Sequence, residues 1–181
     1  MNMNFINAYH VLSTLAEGTE DYRAGYKQYI LDHKNRVTKF ADWLKTNCPE
    51  VFKGVSLASF DDCIRKHDDS KFEEPEFEAY AKFWSNDSED YDWDPDYDEV
   101  VEHHWLVNEH HPEHWFGSDM PLLYILEMIC DWGSFYIDSK NFSGLYDFYY
   151  SEARDDDEKD LSPKTKRIIE DILDKIKKAG G

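Results

Sequence analysis

Apolar residues recur along this chain every three or four positions, and the two-residue alternation of a strand is nearly absent. That pattern predicts an all-α fold of packed amphipathic helices. The clearest stripe is Tyr26, Ile30, His33, Val37, Phe40 and Leu44, spaced alternately by four and three residues. It belongs to a long helix that begins after Thr19, whose hydroxyl can cap the amides ahead of Glu20 and Asp21. The register turns His33 towards the core. A shorter helix is expected before it, over about residues 4–16. After it, Ser59 can start a third helix, with Asp62 three residues on completing a capping box. The stripe of that helix, Phe60, Cys63, Ile64 and His67, also ends on the buried side.

Further along, Pro75 suits the first turn of a short helix reaching Trp84, and the acidic, Pro-containing stretch that follows reads as a loop or lid. Another helix is expected over about residues 95–109, with Pro112 ending any continuation. It carries His104 and leaves His110 and His111 at its frayed end. Ser118 or Asp119 should cap the next helix, with Pro121 in its first turn. Four residues apart on it, Glu127 and Asp131 share one face. A shorter segment over about 145–153 follows. The last helix, after Ser162-Pro163, is rich in Lys and carries Ile168, Ile169, Ile172, Leu173 and Ile176 as a structural face. Neither an internal repeat nor a Gly-rich phosphate loop is present.

At 181 residues the chain is long enough for one domain with a substantial core and short for two. We therefore expect a single domain over 1–181. No run of about 18 apolar residues is available to span a membrane, and the start, Met1-Asn2-Met3-Asn4-Phe5, lacks the basic and apolar regions of a signal peptide. The expectation is a soluble, cytoplasmic protein with no membrane partner. Cys48, Cys63 and Cys130 form no C-x-x-C pair, so they read as buried or idle thiols rather than a disulfide framework or a zinc ribbon. The net charge of −19 excludes long nucleic acid as a partner, because phosphate binding needs clustered Lys and Arg. The acid gathers in residues 86–98 and in Asp155-Asp156-Asp157-Glu158. Solvated loops are the plain reading of such runs, and imitation of DNA or cation binding the sharper one.

The chemistry lies with His67 and Asp68, adjacent in Arg65-Lys66-His67-Asp68-Asp69-Ser70-Lys71-Phe72. A neighbouring His-Asp pair late in a helix can put an imidazole nitrogen and a carboxylate oxygen on one metal, or on two metals sharing the carboxylate. The remaining histidines are grouped: His33 upstream, then His103, His104, His110, His111 and His114, then Asp131 in Glu127-Met128-Ile129-Cys130-Asp131-Trp132. Only His10 falls outside. Taken singly, each has a plainer reading. A buried histidine on an apolar stripe is more often a hydrogen-bonded core residue. Lys71 suits the end of a helix through the macrodipole, and Trp105, Trp115 and Trp132 suit the core.

In this order the residues resemble the HD superfamily of metal-dependent phosphohydrolases. More closely, the stretches Asp32-His33-Lys34, His67-Asp68-Asp69-Ser70-Lys71-Phe72, Asn108-Glu109-His110-His111-Pro112 and Glu127-Met128-Ile129-Cys130-Asp131-Trp132 look like an HD-like family of unknown function from bacteria and their phages. The resemblance spans roughly residues 26–136 and leaves a helical extension over 141–181. It implies an HD-like helical bundle in which His33, His67, Asp68 and Asp131 hold one metal, with Asp68 bridging to a second. His104 and either His110 or His111 match the extra pair of two-metal members, and a two-metal site is expected. Lys71 resembles the lysine that contacts substrate phosphate, which makes Asp68 and Lys71 the expected catalytic residues. Asp69 or Glu127 would orient a ligating imidazole, and His103 and His114 would lie at the surface or just behind the ligands.

Mixed nitrogen and oxygen ligation suits Mn, Fe, Co, Ni or Zn better than Mg or Ca. Two such ions about 3.5 to 4 Å apart can acidify a water and clamp both oxygens of a phosphoryl displacement. Lys71 would stabilise the developing phosphate charge. Lys34, Arg36, Lys66 and Lys71 would supply a local positive field, and the acidic residues 86–98 would repel longer nucleic acids. The substrate expected is a small phosphate ester, a nucleotide or a nucleotide signal. Two other readings stand beside this one: an HD-type di-iron oxygenase, and a non-catalytic protein that binds a small molecule or acts as an acidic DNA mimic. Exposed aromatics would support a homodimer without requiring one.

Overall fold

A computed structural model describes residues 21–85, 95–156 and 160–180. All regular structure among them is helical. The helix expected over residues 4–16, the expected Thr19 cap and residues 86–94 of the acidic stretch lie outside the described residues. The main helices are α1 (Asp21–Asn47), α2 (Leu57–Lys66), α3 (Glu76–Ser85), α4 (Pro95–Val107), α5 (Leu122–Ser134), α6 (Ser143–Phe148) and α7 (Pro163–Gly180). Short 3-10 turns occupy Pro49–Phe52, Asp69–Phe72 and Pro112–Trp115, and a π turn, Tyr149–Ala153, follows α6. No helix among the described residues is long and apolar enough to cross a membrane.

The described chain forms two compact units. The first takes residues 21–32 of α1, the turn Asp69–Phe72, α3 and α4 as far as His104. Its core is Tyr26, Ile30 and Ala81, with Tyr22, Tyr29, Phe72, Phe77, Tyr80 and Trp84 packed against them. Beside this core a fully buried carboxylate, Glu76, takes His104 Nδ1 at 2.8 Å, His103 Nδ1 at 3.0 Å and the Ser70 hydroxyl at 2.9 Å. Burial opposes the charge on Glu76, but the His104, Ser70 and His103 bonds outweigh it and hold the carboxyl below its usual range.

The second unit takes α1 from His33 onward, α2 and everything from Trp105. The predicted stripe of α1 is buried throughout, from Tyr26 and Ile30 in the first unit to His33, Val37, Phe40 and Leu44 in the second. Each large apolar side chain buried in this way contributes about 1.5–3 kcal/mol. Ile125, Leu126, Met128 and Ile129 of α5 share one core with Val37, Phe40 and Leu44 of α1 and with Ile169, Ile172, Leu173 and Ile176 of α7. Gly133 lets α5 approach α1 closely: a Cβ there would lie 2.4 Å from the Phe40 ring.

Two expected caps are corrected. Helix α2 starts at Leu57, and its N-cap is Ser56, whose Oγ accepts from Ser59 N at 3.3 Å. Ser59 is thus the donor in the first turn rather than the cap. Helix α5 starts after Pro121 with no side-chain cap. Asp119 is engaged elsewhere, accepting from the Ser162 hydroxyl at 2.7 Å and Lys164 Nζ at 3.0 Å, which ties down the start of α7. Helix α4 ends at Val107, so His110 and His111 sit in the following turn rather than on its last residues.

Candidate metal centre

Three stretches of the second unit converge on one point. His33 comes from α1, His67 and Asp68 from the end of α2, and Asp131 from α5. His33 Nε2 lies 3.3 Å from His67 Nε2, 3.1 Å from Asp131 Oδ1 and 3.6 Å from Asp68 Oδ2. His67 Nε2 lies 3.6 Å from Asp68 Oδ2 and 3.7 Å from Asp131 Oδ1. Ligands about 2.1 Å from a transition metal are about 3.4 Å apart in a tetrahedron and about 3.0 Å apart when cis in an octahedron. The five separations therefore have the span that an ion's ligand atoms need. His33, His67 and Asp68 are buried, and this group can hold a metal ion.

Local structure makes the convergence. Helix α2 stops at Lys66, with His67 its C-cap. Asp68 follows with φ +58°, in the left-handed region. Lys34 Nζ donates to Arg65 O at 3.2 Å and to His67 O at 2.5 Å, so a cation covers carbonyls at the negative end of the helix.

On the other side of Asp68, His110 Nε2 lies 3.7 Å from Oδ1. His110 is 2% exposed, and its ring centroid is 4.4 Å from that of His67 and 4.2 Å from that of His111. His111 is less enclosed, with Nδ1 3.9 Å from Glu113 Oε2. Asp68, His110 and His111 offer ligand atoms within 4.8 Å of one another, as do His67, His110 and Glu127. Behind the imidazoles, Glu127 Oε1 lies 3.1 Å from His67 Nδ1 and 3.5 Å from His110 Nδ1, and Cys63 Sγ donates to Glu127 Oε2 at 2.7 Å.

The electrostatics separate the three inner rings. Burial works against a charged His67, but Asp68, Asp131 and Glu127 overcome it and hold the imidazolium up to about 10. Burial keeps His33 below the usual imidazole range against the pull of Asp131. His110 is pushed well down by burial and by His111 and His67. Asp131 is held well below the carboxylate range, because the bonds from His33 and His67 outweigh its burial. Burial and Glu127 push the Cys63 thiol above its usual range, so it acts as a proton donor and not as a thiolate ligand.

Of the residues expected from sequence, His33, His67, Asp68, His110 and Asp131 come together, and His111 adjoins them. His104 and Lys71 belong to the first unit, where His104 is bonded to Glu76 and Lys71 Nζ lies 5.9 Å over the Tyr80 ring. Of the two residues considered for orienting an imidazole, Glu127 is the one in contact with His67, whereas Asp69 opens a 3-10 turn of the first unit. Sequence reasoning missed Glu76 altogether and read Cys63 as a buried or idle thiol without a partner role.

The profile of a family of unknown function (DUF5662) matches residues 22–175, which span both units and every candidate above. The chain belongs to this family. No curated protein and no solved structure matches it. The DUF5662 match runs past residue 136, where the motif-bearing segment ends, to take in most of α7.

Proposed function

We propose that this DUF5662 protein is a metal-dependent phosphohydrolase of the HD type, acting on a small phosphate ester such as a nucleotide or nucleotide signal. The observation that carries the reading is the convergence of two imidazole nitrogens and two carboxylate oxygens, from His33, His67, Asp68 and Asp131, at separations of 3.1–3.7 Å. Such a donor set favours Mn, Fe, Co, Ni or Zn over Mg or Ca. His110 and His111, on the far side of Asp68, support a second position for an ion, with Asp68 between the two. Bound ions of this kind polarise a phosphoryl oxygen and lower the pKa of water.

The chain's own part is to hold and aim. Asp131 and His33 face each other across the point of convergence. The left-handed backbone of Asp68 sends its carboxylate back towards it, and Glu127 takes the Nδ1 side of His67 so that Nε2 faces inward. His104 and Lys71 enter the reading through the resemblance alone.

The test is elemental analysis of untagged protein beside Asp68→Ala, with both screened for phosphate release from nucleotides in added manganese. The expected result is about two equivalents of transition metal in the parent, lost in the variant, with phosphate released by the parent alone. Iron without phosphate release would favour an oxygenase. No metal in either protein after reconstitution would refute both enzymatic readings and leave a binding protein.

A further inference from the structure

Glu127 faces two imidazoles and a thiol at once. Its Oε1 lies 3.1 Å from His67 Nδ1 and 3.5 Å from His110 Nδ1, while its Oε2 takes the Cys63 thiol. The opposite nitrogens of the same rings reach different oxygens of Asp68: His67 Nε2 is 3.6 Å from Oδ2 and His110 Nε2 is 3.7 Å from Oδ1. We propose that Glu127 is a positioning residue shared by two metal positions. By accepting from Nδ1 of both rings it fixes both as Nε2 ligands, and so couples the filling of the two positions on either side of Asp68. This inference rests on the metal-centre reading above.

A neutral imidazole has one N–H and one lone pair, so a carboxylate holding Nδ1–H leaves Nε2 as the only ligand atom. One carboxylate oxygen can accept two such bonds, and the Cys63 S–H holds the other oxygen, which fixes the rotation of the group. A glutamine of the same shape fails in either orientation. With its oxygen towards the rings, its amide N–H2 confronts the Cys63 donor. With its nitrogen towards the rings, both Nδ1–H groups meet a donor and the tautomers turn over. Both rings lose the negative charge together, so both metal positions weaken together.

The experiment titrates the metal-free full-length protein and Glu127→Gln with cobalt(II), following the visible d–d absorption and the number of ions bound. A second measurement records nitrogen-15 spectra of the histidine rings in zinc-loaded parent protein. The parent is expected to take two ions. Glu127→Gln should bind both about 10- to 100-fold more weakly while keeping the parent's far-ultraviolet circular dichroism. In the zinc-loaded parent, His67 and His110 should both show a proton on Nδ1 and metal on Nε2.

Unchanged affinities in the variant, or weakening of one ion alone, overturn the shared role. So does zinc on Nδ1 of either ring, a result that stands even where the variant fails to fold. A parent that takes no ion overturns the metal-centre reading itself and this inference with it. A parent that loads normally beside an unaffected variant overturns only this inference.

Discussion

Metal uptake by this cluster should expel one proton, and its affinity should climb with pH. His67 must be neutral at Nε2 to bind an ion, yet Asp68, Asp131 and Glu127 hold its proton up to about 10. His33 and His110 are pushed below the ordinary imidazole range and have no proton to give up at neutral pH, and Asp131 is already ionised. Of the three inner imidazoles, then, one carries the coupling. Each pH unit below about 10 costs about 1.4 kcal/mol of binding, a factor of ten. Between pH 6.5 and 8.5 the apparent affinity for manganese should rise about a hundredfold. The metal-free protein runs the opposite way. Stability from the raised His67 is full below 6.5 and is lost as pH rises towards about 10, and stability from the depressed Asp131 is present above 3.8 and lost as pH falls through its folded value. Calorimetric titration in two buffers of different ionisation enthalpy counts the protons released, and repetition across the pH range gives the slope. Uptake without proton release, or an affinity flat over those two units, would refute the assignment of the buried charge to His67.

Three further outcomes are expected. Asp68→Asn should fold but lose its ions and melt below the metal-free parent at neutral pH, because it removes a charge that holds the buried His67 imidazolium, while Asp68→Ala should melt lower by about a further 1 kcal/mol, because alanine tolerates the left-handed backbone less well. Thermal melts beside metal analysis compare the two, and an asparagine variant that keeps its metal would count against Asp68 as a ligand. Gly133→Ala should cost about 1–3 kcal/mol, since its Cβ would meet the buried Phe40 ring at 2.4 Å, and roughly 2–4 °C of melting temperature per kcal/mol follows for a chain of this size. A neutral result would mean that α5 can move off α1. Ser56→Ala should cost about 1 kcal/mol as a lost cap, and Ser59→Ala no more than about 0.5 kcal/mol; denaturant melts showing the reverse order would restore Ser59 as the cap.

The parts legible in the sequence were those that local rules decide. The α1 stripe was readable because burial on one face of a helix repeats with the helical period, which needs no knowledge of the partner. His33 and His67 could be placed on inward faces for the same reason, and Glu127 and Asp131 on one shared face. The two caps were misplaced for a local reason as well. Ser59 with Asp62 matched a capping-box spacing, whereas Ser56 has a serine at the third position and matched none, although its hydroxyl is the one that bonds. Ser118 and Asp119 were placed before a helix holding Pro121 in its first turn, whereas Pro121 itself occupies the N-cap position of α5, and Asp119 bonds Ser162 and Lys164, 43 and 45 residues on. The roles of Glu76 and Cys63 were hidden because their partners are remote: Glu76 bonds His103 and His104 across 27 and 28 residues, and Cys63 bonds Glu127 across 64. No periodicity in a single sequence encodes such pairs.

The adjacency of His67 and Asp68 carries a structural demand of its own. Neighbouring residues of an α-helix point about 100° apart, so a His-Asp pair inside a regular helix starts with its two side chains aimed in different directions. The chain meets the demand by ending α2 at Lys66 and turning Asp68 to φ +58°. For most residues that conformation costs about 1–2 kcal/mol, and aspartate and asparagine are the side-chain-bearing residues that adopt it most readily. Of the two, only aspartate also supplies a negative charge and a pair of oxygens. The same position therefore needs one residue for its backbone and for its chemistry. Lys34 covers the carbonyls that the broken helix exposes, Arg65 O and His67 O, and it follows His33 directly in α1. One turn of α1 thus delivers both an imidazole to the cluster and the cation that closes the helix end from which the other imidazole comes. This makes a substitution of Lys34 a disturbance of His67 and Asp68, not merely the loss of a surface charge.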